Sequence, residues 1–322
     1  MTDTRRTKLN DELLAAAAAV AAANTDLLDL KIATAALTEM GEAFAMFAPY
    51  KDERKVTVFG SARTRTDDPL YRQAREIAAR LADDGWMVVT GAGPGIMQAA
   101  MEGAGREKSI GVSIRLPFET GANEVIAGDS KYVSMRYFFT RKLMLVKESQ
   151  GFVCLPGGFG TLDEMFELLT LTQTGKGLPV PIVLLDPPGD TYWETVDGLI
   201  QTQLVERGLV SPADRGLYMI TDSIDAAVAE ITGFYRNYDS LRYVGDVLVI
   251  RLRQSPTDAQ LQALNERFGY LCQQGNIRRV EPFAIERRDN DRLDRSRIGL
   301  DFARHGYGDL RELIDMLNTF VD

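Results

Sequence analysis

The sequence predicts an α/β fold: a doubly wound parallel sheet with helices on both faces, plus N-terminal helices and a small α+β C-terminal module. Three observations lead there. From Val56 to about residue 236, short β-branched runs alternate with stretches of helical periodicity. The strand runs are apolar throughout, as strands buried on both faces must be, and parallel neighbours require crossover helices between them. At 322 residues the chain also exceeds a single sheet domain of about 150 residues.

The elements follow in order. An alanine-rich stretch favours a helix over roughly 9–23, and Asp26 is placed to cap a second that runs through Ile32, Leu37 and Phe44 to Pro49. Residues 1–50 are therefore expected to be a helical extension, and charge-dense Lys51–Lys55 a linker. Strands are expected at Val56–Phe59, Trp86–Thr90, Ser109–Ile114, Gly151–Leu155, Val180–Leu185 and Tyr218–Ile220, with helices near 70–84, 96–107, 136–149, 161–174, 191–206 and 223–236. This region, 51–238, reads as the ligand-binding domain. Beyond it, 239–322 reads as a β-α-β-α module: strand Asp246–Leu252, helix Thr257–Phe268, strand or pair Ile277–Glu286, a charged loop Arg287–Arg297 and helix Asp309–Val321.

Composition removes several functions. The net charge of -9 argues against nucleic acid and anionic membranes as partners, though not against a small anion in a pocket with its own positive potential. The two cysteines, Cys154 and Cys272, have no metal or redox spacing and suit buried thiols in a reducing compartment. A single histidine, His305, excludes His-based zinc sites, triads and acid/base relays. Acidic Asp11 and Glu12 abut the alanine run, against a signal peptide, and no run is long enough to span a membrane; a cytoplasmic location is expected.

In such sheets ligands sit beyond the carboxyl ends of the strands. Three loops there are glycine-rich: Gly60-Ser61-Ala62-Arg63, Gly91 to Met97 with Gly93 and Gly95, and Pro156-Gly157-Gly158-Phe159-Gly160-Thr161. Each could be no more than a tight turn into a helix. Three on one rim point to an anionic ligand, probed by backbone amides and helix N-termini. A dinucleotide fingerprint does not fit, because the nearest match follows the second strand and ends on Ile96; a phosphate-binding loop ending in Gly-Lys-Ser/Thr is absent. Thr161 and Glu164 have the spacing of a capping box, so a purely structural role for both stays open from the residues alone. Arg141-Lys142 read alone could be a solvated basic patch on a helix.

The segment Pro-Gly-Gly-x-Gly-Thr-x-x-Glu, preceded by Arg141-Lys142, resembles the LOG (Lonely Guy) family over roughly residues 50–236. The resemblance implies a Rossmann-like fold and a phosphoribohydrolase that releases a base from a riboside 5′-monophosphate; many members carry a lysine-decarboxylase label, for which this sequence has no pyridoxal-lysine motif. It implies that Arg141 and Glu164 are the catalytic pair and that Gly157, Gly158, Gly160 and Thr161 hold the 5′-phosphate. The Gly60-Ser61 turn and the Gly91–Met97 loop are similar to the family's other two nucleotide loops, and Lys142 falls in the same motif. Short plant-type members have His-Glu before Arg-Lys; here Phe139-Thr140 stands there, as in longer bacterial members.

The expectation is therefore hydrolysis of AMP or a cytokinin riboside monophosphate. Glu164 would stabilise an oxocarbenium-like sugar and activate water, and Arg141 would orient Glu164 and keep it ionised. No metal or redox cofactor is needed. The alternative is a non-catalytic nucleotide or molybdenum-cofactor carrier on the same fold. The site is expected wholly within about 50–236, with the terminal extensions serving assembly or regulation. The apolar positions Phe138, Phe139, Met144 and Phe166–Leu171 suggest a homodimer or higher homo-oligomer.

Overall fold

The computed structural model describes residues 2–116 and 121–321. Seven strands form one all-parallel sheet: β1 (Lys55–Phe59), β2 (Met87–Thr90), β3 (Ser109–Ile114), β4 (Tyr132–Met135), β5 (Gly151–Cys154), β6 (Ile182–Leu185) and β7 (Met219–Thr221). Their order across the sheet is β4-β3-β2-β1-β5-β6-β7. The order reverses at β1, which pairs with β2 on one side and β5 on the other.

The helices preceding and joining these strands are α1 (Thr2–Ala22), α2 (Leu27–Phe47), α3 (Pro69–Asp83), α4 (Ile96–Lys108), α5 (Phe138–Lys147), α6 (Phe159–Gln173), α7 (Tyr192–Leu199) and α8 (Ile224–Gly233). The two sheet faces divide them. Val56, Val58, Val88, Val153 and Val183 pack with apolar side chains of α3, α4 and α8. Phe59, Val89, Val112, Phe152 and Leu184 point the other way, onto Ala43 and Phe47 of α2, Met144 and Leu145 of α5, Met165 and Leu168 of α6 and Trp193 of α7. The period of two along each buried strand thus serves two cores at once.

The predicted N-terminal helix pair separates into unlike halves. Asp26 caps α2 as expected, accepting from the amides of Leu28 at 2.7 Å and Asp29 at 2.9 Å. α2 then belongs to the main core, whereas residues 5–22 of α1 are exposed. Two expectations need correction here. β4 has no predicted counterpart. α6 starts at Phe159, two residues earlier than expected, with Gly158 as its cap residue.

The C-terminal unit is β8 (Tyr238–Val244), β9 (Val247–Leu252), α9 (Asp258–Phe268), β10 (Cys272–Arg279), α10 (Ala284–Asp289), β11 (Ser296–Phe302) and α11 (Tyr307–Asn318). Its antiparallel sheet has the order β10-β11-β9-β8. The expected β-α-β-α order missed β8, α10 and β11. One sheet face carries Leu248, Ile250, Leu252, Ile298 and Leu300, and its core is continuous with that of α3 and α8. Asn318, near the chain end, fastens the junction: its Oδ1 accepts the amides of Asn237 and Tyr238, each at 2.9 Å, and its Nδ2 donates to the carbonyl of Phe234 at 2.7 Å.

On the other face lies a buried ion cluster. The Arg251 guanidinium donates to Glu286 at 2.7 Å and Asp291 at 2.6 Å, and Arg297 pairs with Glu286 at 3.4 Å. Burial pushes the Glu286 carboxyl up, but the Phe283 amide, Arg251 and Arg297 together outweigh it and hold the group below its ordinary range. A carboxyl lowered in this way contributes stability above its unfolded value, and that contribution fades as pH falls through the folded value. Glu286→Ala leaves two buried guanidiniums short of a partner. Urea denaturation at neutral pH should show a loss of about 3–5 kcal/mol, and the variant's stability should fall less steeply than the parent's below about pH 4.5.

Candidate active site

The reversal at β1 opens a cleft of about 750 Å³ over the carboxyl ends of the strands. Gly60 and Ser61 enter from β1, Gly91, Gly93 and Met97 from the β2–α4 loop, and Gly157, Gly158, Gly160, Thr161 and Glu164 from the β5–α6 turn, with Arg141 coming from α5. All the sequence-predicted site residues therefore meet, except two. Gly95 lies beneath the cleft and does not line it. Its φ of +68° and the closeness of the Ser61 carbonyl leave no room for a side chain, so it lets the first two loops pack backbone on backbone. Lys142 turns away from the cleft: its ammonium is held by Asp163 at 2.7 Å and Glu167 at 2.5 Å.

Arg141 is fixed from two sides. Its Nε donates to the carbonyl of Val112 at 3.1 Å. Its guanidinium also packs so closely on Gly91 that a Cβ there would collide with Nη2. The neighbouring loop is strained as well as tight, since Ala92 has φ +56°. Asn123 supports it, donating through Nδ2 to the carbonyl of Gly93 at 3.1 Å.

The β5–α6 turn combines an amide-rich helix start with a buried acid. Gly158 supplies no side-chain cap, so the first amides of α6 face the cleft. A Cβ at Gly158 or Gly160 would meet nothing within 4 Å. Internal packing therefore gives no reason for glycine at either position. The Thr161–Glu164 capping-box reading fails: Thr161 is the third residue of the helix, and its amide donates to the Gly158 carbonyl at 3.1 Å.

Glu164 stands five residues beyond Phe159, roughly 7.5 Å along the axis. It is 6% exposed, and its Oε2 is buried without a hydrogen-bond partner. Burial pushes its carboxyl up to about 7, outweighing the downward pull of Lys142 and Arg141. The expectation that Arg141 keeps Glu164 ionised is corrected accordingly: its charge acts in the expected direction but loses to desolvation.

Several cleft residues escaped the sequence reading. Tyr192 donates its hydroxyl to the Gly157 carbonyl at 2.7 Å and so grips the glycine turn. Asp186, outside the cleft lining, steadies the start of the helix that carries Tyr192, accepting the Trp193 amide at 3.0 Å. Ser113 and Leu116 line the cleft from the end of β3, a strand end already marked by the fold rule although no residue there was selected. Phe138 lies three positions before Arg141 and shares its helix face, a spacing that could have revealed it. Phe159 occupies the variable position of the glycine motif and is 94% exposed on the cleft rim.

The all-parallel sheet with helices on both faces and a cleft at its strand-order reversal is a Rossmann-like α/β fold. The family model described as possible lysine decarboxylase matches residues 95–231. A cytokinin riboside 5′-monophosphate phosphoribohydrolase of Mycobacterium tuberculosis is 30% identical over 177 residues, which is 52% of this chain and 88% of that protein. A probable enzyme of the same name from Oryza sativa subsp. japonica is 34% identical over 160 residues, 48% of this chain and 69% of that protein. The molybdenum cofactor carrier protein of Chlamydomonas reinhardtii is 22% identical with a TM-score of 0.39, covering 56% of this chain and 96% of that one. The chain belongs to the LOG family, whose named members here are cytokinin riboside 5′-monophosphate phosphoribohydrolases. No helix among the described residues is long and apolar enough to cross a membrane.

The environment of Glu164 has a measurable cost. A carboxyl raised from 4.5 in the unfolded chain to about 7 in the folded one destabilises the fold progressively as pH rises between those values. Glu164→Gln removes that penalty. Its stability should exceed the parent's at pH 8 by about 2–3 kcal/mol, and the difference should shrink towards pH 4; urea midpoints at the two pH values measure it.

Proposed function

We propose that this protein hydrolyses the N-glycosidic bond of a purine riboside 5′-monophosphate, AMP or a cytokinin nucleotide, giving free base and ribose 5-phosphate. The observation that carries the reading is Glu164: a desolvated carboxylate with an unpartnered oxygen, on the same helix whose glycine start opens into the cleft. A phosphate on the first amides of α6 directs the attached ribose along the helix towards Glu164.

In the reaction the C1′–N bond breaks as a water oxygen bonds to C1′, and the electron pair of the broken bond leaves with the base. The sugar passes through an oxocarbenium-like state. The Glu164 carboxylate stabilises that charge and accepts one proton of the attacking water; the departing base takes up one proton from solvent and leaves neutral, and Glu164 then returns its proton to solvent. Arg141, held by Val112 and Gly91, presents a fixed positive charge to the phosphate or ribose oxygens. The one lysine of the motif, Lys142, is committed to Asp163 and Glu167, which speaks against imine chemistry at this cleft.

The test is incubation with a panel of nucleoside monophosphates, with free base and ribose 5-phosphate as readouts. Glu164→Gln should lower turnover at least about 100-fold while nucleotide binding persists, and Arg141→Ala should also lose turnover. Full activity in either variant on a nucleotide that the parent cleaves would refute the assignment. The pH profile checks the protonation state. Because the carboxylate is the working form, kcat/KM should rise with pH through about 7 and then level off.

A further inference from the structure

α2 reaches the candidate site through one side chain. Glu39 is only 4% exposed, and both of its oxygens are engaged. Oε1 accepts the backbone N–H of Arg136 at 2.7 Å, and Oε2 accepts the hydroxyl of Thr140 at 2.8 Å. These two donors bracket the start of α5: Arg136 lies two residues before the first helical residue, and Thr140 directly precedes Arg141.

α5 has no side-chain cap of its own, because its cap residue Tyr137 supplies none. The first amides of a helix need acceptors and favour negative charge nearby. Glu39 brings negative charge to this end from a different helix, 97 positions earlier in the chain than Arg136, and its oxygens take the amide just ahead of the helix and a hydroxyl in its first turn. The two helices are also locked by packing, since Ala43 and Phe47 of α2 share a core with Met144 and Leu145 of α5. The carboxylate is therefore held in place independently of the bonds it makes.

We propose that Glu39 is a positioning residue for Arg141, so that the N-terminal extension forms part of the reaction machinery; the kinetic form of this claim rests on the hydrolase reading above. Glu39 fixes the first turn of α5, and Val112 fixes the Arg141 side chain one turn later. With the first anchor gone, the Arg136 amide loses its acceptor, Thr140 turns to the Tyr137 carbonyl, its other partner at 2.9 Å, and the turn that aims Arg141 loosens.

Two substitutions test this. Glu39→Gln retains the hydrogen bonds: its carboxamide oxygen accepts from Arg136, and its amide donates to Thr140, whose own proton goes to Tyr137. Turnover should stay close to the parent's. Glu39→Ala removes both bonds and should lower kcat/KM of the folded protein about 10- to 100-fold, the range for misplacing a catalytic group. In an Arg141→Ala background the same change should cost nothing further, because the two residues act as one unit. Equal losses in both backgrounds, or undiminished turnover in folded Glu39→Ala, would overturn the proposal. If Glu39→Ala fails to fold, Glu39→Asp, one methylene short of its donors, takes its place in the cycle. A parent that cleaves no nucleotide counts against the hydrolase reading alone. The positioning claim is then decided by crystal structures of the Glu39 variants. It stands if Arg141 Nε leaves the Val112 carbonyl in Glu39→Ala or Glu39→Asp and keeps it in Glu39→Gln, and it falls if the contact survives in all of them.

Discussion

The reversal of strand order at β1 is the constraint on which the site depends. Strands are added outward in both directions from this central strand, so the connections leaving β1 and β5 cover opposite faces and cannot close the gap between their ends. Whatever enters that gap meets backbone first, because the chain turns there from strand to helix within a few residues. The glycines follow from this geometry. Gly91 must admit the Arg141 guanidinium, and Gly95 must admit the Ser61 carbonyl. A chain with a net charge of -9 can in this way still bring backbone amides and two arginines, Arg63 and Arg141, to one cleft.

What was legible in the sequence has a common cause. The central strands and the glycine loops impose their residue types through local sterics and two-sided burial, and those marks survive in a single sequence. Features that depend on distant partners leave no such mark. Tyr192 grips a carbonyl 35 positions away, and Glu39 holds the approach to a helix from 97 positions away; in the sequence they are an ordinary tyrosine and an ordinary helix-surface acid. An arginine of the C-terminal sheet concealed a strand for the same reason. Arg297 in β11 looks solvent-facing, and its pairing with Glu286 permits its burial. The capping-box reading of Thr161 and Glu164 erred by three residues, because the cap position of α6 is Gly158, which has no side chain to mark it.

The terminal elements differ in how closely they are joined to the sheet. α2 contributes to the main core and to the start of α5, and α11 closes the junction between the two sheets through Asn318. α1 adds none of its side chains from residue 5 onward to the buried core. An alanine-rich helix of this length holds its shape largely through backbone propensity. Integration therefore runs from the middle of the chain outward to α2 and α11, and stops at α1.

Three buried glutamates show how one functional group is put to different uses. Glu286 is surrounded by two guanidiniums and an amide, and its charge completes a structural cluster. Glu39 has each oxygen matched to one donor at the start of α5. Glu164 differs from both, with a buried oxygen that meets no donor and a carboxyl raised to about 7. A fold does not retain an unsatisfied buried carboxylate for stability, since each such group costs free energy that a hydrogen bond or an apolar replacement would avoid. The same few residues hold the strained Ala92 and the glycines at 158 and 160 that no packing demands. Among the three glutamates, the unsatisfied oxygen is thus found at the cleft and not in the charged C-terminal cluster, where Glu286 is bonded throughout.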